Sequence, residues 1–105
     1  MHEALFSDEG FAEGVSTIDV AKALIDEGFH PMTMYFPLVV HGAMLVEPTE
    51  CESKATLDQF IGALRNIAER ARAGDPALAQ APVFAPRRRL DETLAARKPR
   101  LVFQA

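Results

Sequence analysis

The chain has 105 residues, enough for one domain with a modest core and too few for two, which excludes a complete large enzyme. Hydrophobic residues make up 49% and charged residues 25%, a balance that excludes a wholly disordered chain. The net charge of −4 conceals an asymmetry, because residues 1–74 carry 5 basic and 12 acidic groups (net −7) whereas residues 75–105 carry 6 and 3 (net +3). The single cysteine, Cys51, can make no internal disulfide, which predicts a reducing, cytoplasmic setting. No secretory signal is read at the start. Residues 28–46 are uncharged over 19 positions, but His30, Pro31, Pro37, His41 and Gly42 interrupt them, so no membrane span is predicted.

Residues 2–7 read as a short strand, followed by a polar, glycine-containing connection over residues 8–14. Ser16 or Thr17 can cap a helix over residues 17–27, with Asp19 at the positive end of its dipole. Ile18, Ala21, Leu24 and Ile25 then form an apolar stripe, and Gly28 supplies the stop. Two apolar runs, from Thr33 to Val40 and from Ala43 to Glu47, flank His41-Gly42 and predict a β-hairpin with Pro37 at an edge or bulge. Pro48 ends the second strand, and Thr49-Glu50-Cys51-Glu52 has capping-box spacing. A long helix is expected from there to Gly74, carrying Leu57, Phe60, Ile61, Leu64, Ile67, Ala68 and Ala71 at helical period.

The expected architecture is α+β: a small antiparallel sheet covered by two helices in a compact domain over residues 1–74, with an extended C-terminal tail over residues 75–105. That tail holds four of the seven prolines, a short helix at residues 91–97, and Leu101-Val102-Phe103, which could add a strand or dock elsewhere. It is expected to pack on the domain or on a partner subunit.

Candidates for chemistry are few. His2, His30, His41 and Cys51 lack the close spacing of a zinc site, so no metal is expected. His30, just past a helix stop, could act as an acid/base group, although a helix-end cap is the simpler reading. His41 is expected in the hairpin turn, exposed. Glu47, Glu50 and Glu52 could pair as acid and base, but capping accounts for them. Cys51 near a helix start has no partner that would make it a nucleophile, and Met32, Met34 and Met44 read as packing. The arginine run at 87–89 lacks interleaved aromatics and follows an acidic body, so nucleic acid is not expected, while Leu90, Leu94 and Leu101 between the charges suit protein docking.

Residues 28–54, Gly-Phe-His-Pro-Met-Thr, a strand-like run, then Glu-Pro-Thr-Glu-Cys-Glu-Ser-Lys, closely resemble the C-terminal part of the glycine-cleavage P-proteins. Met32 replaces the family's second proline, and Cys51 its usual serine or threonine. The resemblance extends through His2-Glu3, residues 17–22, Arg88-Arg89-Leu90-Asp91-Glu92 and residues 95–99; the last two segments look like the end of subunit 2 of the two-subunit form. It implies the C-terminal small domain of a fold-type-I pyridoxal-phosphate enzyme. The complete enzyme would decarboxylate glycine and transfer its aminomethyl group to the lipoyl arm of the H-protein.

The resemblance also implies that the cofactor lysine lies in a large domain upstream. No catalytic residue and no covalent cofactor contact are therefore expected here, Lys22 and Lys54 are expected to face water, and these residues alone are expected to be inactive. His30, Thr33, Glu47, Thr49 and Glu50 become candidates for lining the active-site cleft. Arg88, Arg89, Asp91, Arg97 and Lys98 become candidates for docking on partner subunit 1. The alternatives are a stand-alone ferredoxin-like regulatory or ligand-binding module, because the order strand, helix, strand, strand, helix suits it too, and a basic-tailed interaction protein.

Overall fold

The computed structural model describes residues 3–48 and 52–103. In chain order it contains β1 (Ala4–Phe6), α1 (Thr17–Asp26), β2 (Thr33–Met34), β3 (Met44–Val46), α2 (Lys54–Ala73), a 3-10 helix (Pro76–Gln80) and α3 (Glu92–Arg97). The sheet order is β1-β3-β2, with β3 antiparallel to both neighbours. β1 and β2 therefore run parallel with β3 between them, the split arrangement that a βαβ crossover followed by a hairpin produces. This is the expected α+β fold.

Both long helices end through the same local chemistry. At α1, Gly28 adopts φ 86°, its N–H donates to Ile25 (3.0 Å), and Phe29 N–H donates to Leu24 (3.0 Å). At α2, Gly74 adopts φ 73°, its N–H donates to Ala71 (3.3 Å), and Asp75 N–H donates to Arg70 (3.0 Å). In each case glycine takes the left-handed conformation without a Cβ penalty and two orphan carbonyls gain donors.

Two boundaries differ from expectation. α2 begins at Lys54, where the Ser53 hydroxyl accepts the Thr56 N–H at 3.1 Å, so Glu52 precedes the helix and is not its capping carboxylate. Ser53 offers the same cap chemistry as Thr49, one turn later; Thr49, Glu50 and Cys51 lie outside the described residues. The second difference is the hairpin. β2 is only two residues long, and residues 35–42 leave the sheet as a loop instead of continuing to a two-residue turn. Tyr35 at φ 61° turns the chain out of the strand, Pro37 has no N–H to offer a ladder, and Tyr35 N–H closes the loop on Ala43 at 2.8 Å.

The core joins Val20, Ala23 and Leu24 of α1, Met44 of β3, and Ile67 and Ala71 of α2. Phe11, Phe29, Phe60 and Leu64 pack around it. It continues past residue 74, because Leu78 and Ala81 are buried members of the same cluster. From there the chain runs back along α1. The Asp26 carboxylate accepts the N–H groups of Val83 (2.7 Å) and Phe84 (2.8 Å), Lys22 pairs with Glu92 (3.3 Å), and Asp19 pairs with Arg89 (2.8 Å). Asp19, Lys22 and Asp26 share one face of the helix at i, i+3 and i+7, which is why one extended segment reaches all three. Asp91 caps α3 by accepting Leu94 N–H at 2.9 Å. Residues 101–103 form no strand and are exposed.

Candidate functional site

The chain entering and leaving the sheet and the start of α2 converge on a cleft of about 150 Å³. The glycine stop at the end of α1 leaves Phe29 half-buried and His30 exposed. β3 ends at Val46, so Glu47 and Pro48 follow at the same end of the sheet. Glu52, just before α2, and Thr56, Leu57 and Phe60 on its first turns complete the lining. Phe29 and Phe60 meet edge to face, ring centroids 5.4 Å apart at 77°, a favoured aromatic geometry that fixes one wall.

Two of the five cleft candidates, His30 and Glu47, thus line one cavity although 17 positions separate them. Thr33 stands exposed on β2 and does not line it, and Thr49 and Glu50 lie outside the described residues. Glu52, expected as a capping residue, and Thr56, inside the first turn of α2, also line it, a role that neither local sequence signals. Chemically the site combines an imidazole, two carboxylates and a hydroxyl against an aromatic wall, a set able to orient a cationic or polar group and to hold or pass a proton. A larger cleft of about 590 Å³ lies between Phe6, Met32 and Met44 on one side and Ile61 and Leu64 of α2 on the other. It holds neither His30 nor Glu47.

His41 is exposed, as expected, and its Nδ1 lies 2.9 Å from the Asp8 carboxylate. In the basic segment, the Arg89 guanidinium is engaged within the chain, donating to Asp19 and to the carbonyls of Leu78 (3.1 Å) and Ala81. Asp91 is committed to its cap, whereas Arg88, Arg97 and Lys98 are exposed. Among the described residues no group of three His, Cys, Asp or Glu side chains could hold a metal ion. No helix among them is long and apolar enough to cross a membrane.

Comparison with known proteins identifies the family. Residues 1–81 match the family described as glycine dehydrogenase, C-terminal domain, a span that ends where the buried core ends. A probable glycine dehydrogenase (decarboxylating) subunit 2 from Caulobacter vibrioides is 69% identical over 103 residues, covering 96% of this chain and 20% of that protein. Proteins of the same description from Caldanaerobacter subterraneus and Desulforamulus reducens are 53% and 48% identical, covering 94% of this chain and 21% of their own lengths. The chain spans about one-fifth of the length of these relatives. By the family match over most of its length, the chain belongs to the glycine dehydrogenase C-terminal domain family.

Proposed function

We propose that this chain is the C-terminal small domain of subunit 2 of a pyridoxal-phosphate-dependent glycine decarboxylase, in which it supplies one wall of the active-site cleft. The observation that carries the proposal is that His30 and Glu47, two residues of the motif by which the chain resembles that family, face one cleft beside an aromatic pair. In the complete enzyme, glycine is the substrate, the lipoyl arm of the H-protein accepts the aminomethyl group, and subunit 1 is the partner.

Pyridoxal phosphate, when bound, supplies the electron sink that decarboxylation of an amino acid requires. The residues here give it no covalent anchor at the cleft. Lys22 is paired with Glu92 (3.3 Å), Lys54 with Asp58 (2.6 Å), Lys98 closes α3, and none of the three lines the cleft. The chain's own share is therefore to shape the cleft: Phe29 and Phe60 exclude water from one side, the His30 ring can hold or pass a proton, and the Glu47 carboxylate can orient a cationic amine.

The test is glycine decarboxylation by the complete enzyme. His30→Ala should lower kcat/KM about 100-fold or more, the scale of a lost acid/base group, and Glu47→Gln should lower it as well, with Thr33→Ala compared alongside them. Unchanged turnover in the His30 and Glu47 variants would return both residues to a structural role. The isolated chain mixed with pyridoxal phosphate should lose all cofactor absorbance on dialysis. A band that survives dialysis and is discharged by borohydride would overturn the division of labour.

A further inference from the structure

Residues 35–42 form a loop whose base is rigid and whose tip is apolar. At its start, the Tyr35 hydroxyl accepts the Ile18 N–H at 3.2 Å, supplying one of the donors left open at the α1 N-terminus with a partner. At its end, the Gly42 carbonyl accepts the buried Thr17 hydroxyl at 2.6 Å. The Tyr35–Ala43 backbone bond closes the neck, and a turn bond from Val40 N–H to Pro37 (3.1 Å) shapes the tip. A Cβ on Gly42 would lie 2.1 Å from the Asp8 carboxyl carbon, so Asp8 fills the space under the neck and pairs with His41 above it.

Held this way, the loop presents Phe36, Leu38 and Val39 to water at 57%, 80% and 92% exposure. Isolated apolar residues at a surface need no explanation, but a run of them on a pinned loop marks a surface that something covers. No charged residue occurs from Thr33 to Val40 in a body whose net charge is −7, and depletion of charge with preorganisation marks the core of a permanent interface more than a transient one.

We infer that the 35–42 loop is a docking knob that inserts into the remainder of its own polypeptide, the part that makes up about four-fifths of the relatives and lies outside this chain. A covalently continuous partner is present at high effective concentration, so it claims such a surface ahead of a separate chain. The inference rests on the reading of this chain as one region of a longer subunit 2.

The experiment compares the 105-residue chain with the complete subunit 2 that carries this sequence, both bearing Val39→Cys, and follows maleimide labelling of the peptide containing position 39 by mass spectrometry. Slowing of at least tenfold in the complete subunit alone supports the inference. A smaller effect overturns it, as does protection that appears only when subunit 1 is added, which would assign the knob to the partner. Hydroxyl-radical oxidation of Phe36 and Leu38 in the unsubstituted proteins gives the same comparison should the variant fail to fold. Glycine turnover is measured separately on subunit 2 assembled with subunit 1: an inactive assembly with position 39 protected in subunit 2 would refute the proposed function and leave the knob standing, and an active one with an unprotected position 39 would do the reverse.

Discussion

The Arg89 guanidinium lies 2.8 Å from the Asp19 carboxylate, across 70 positions of sequence, and donates to the Leu78 carbonyl from the same nitrogen. Asp19 in turn accepts the Ser16 backbone N–H (2.9 Å) and hydroxyl (3.0 Å), so one carboxylate closes the start of α1 and anchors the chain that follows the core. Its neighbours Thr17 and Ile18 hold the two ends of the 35–42 loop. Three consecutive residues in the first turn of one helix thereby fasten three distant points of the chain.

Arg89→Ala should cost about 2 kcal/mol, the scale of hydrogen bonds to a charged, largely buried partner. It should also loosen residues 85–91, between the Asp26 and Lys22 contacts that remain. Urea denaturation measures the first effect, and faster trypsin cleavage after Arg87 and Arg88 reports the second. Arg89→Lys should recover only part of the stability, because a single ammonium cannot reproduce the guanidinium fork.

Leu78→Ala should destabilise the chain by roughly 3 kcal/mol, as expected for truncating a fully buried side chain. Circular dichroism during chemical denaturation would show it. A loss below about 0.5 kcal/mol, typical of a surface position, would mean that the core ends with α2.

Gly42→Ala should be strongly unfavourable for two separable reasons. The left-handed backbone at φ 58° costs about 1–2 kcal/mol for any residue with a Cβ, and the new methyl overlaps the Asp8 carboxylate. Adding Asp8→Ala should restore the overlap part and leave the backbone part, a non-additivity that a double-mutant cycle reads directly. Thr17→Val leaves the buried Gly42 carbonyl without its donor and should cost about 1–3 kcal/mol.

Asp75 joins the end of α2 to the 3-10 helix. The Arg70 guanidinium (2.8 Å) and the Ala77 N–H (2.9 Å) hold its carboxyl below the usual carboxylate range. A pKa lower in the folded state than in the unfolded state means that the contribution is present above the unfolded value and is lost as pH falls through the folded one. Asp75→Asn should therefore lower the melting temperature at neutral pH, with the gap to wild type closing below about pH 4, where the unfolded carboxyl is protonated. A gap that stays constant down to pH 2 would remove the ionic part of the explanation.

Much of this was open to reading in the amino-acid order, and the reason is range. Gly28 and Gly74 stop their helices through bonds that span five residues or fewer, so the signal sits beside the structure it causes. The apolar period of α2 and the short α3 are equally local. The motif from Gly28 to Lys54 pointed to the family, and it brought His30 and Glu47 forward as candidates. Local reading failed where two local answers competed. Ser53 and Thr49 could each cap α2, and the apolar run from Tyr35 to Val40 has strand composition even though Tyr35 and Pro37 turn it out of the sheet.

What the assembled chain added is joined across long separations: Thr17 to Gly42 over 25 positions, Ile18 to Tyr35 over 17 and Asp19 to Arg89 over 70. Arg88 and Arg89 suit partner docking by composition, yet the Arg89 guanidinium is engaged within the chain, because the face of α1 that carries Asp19, Lys22 and Asp26 lies alongside the returning segment. Composition and period specify which residues are apolar and where helices begin and end. Which polar group meets which depends on how those elements pack, and that geometry carries no signature in the neighbouring sequence.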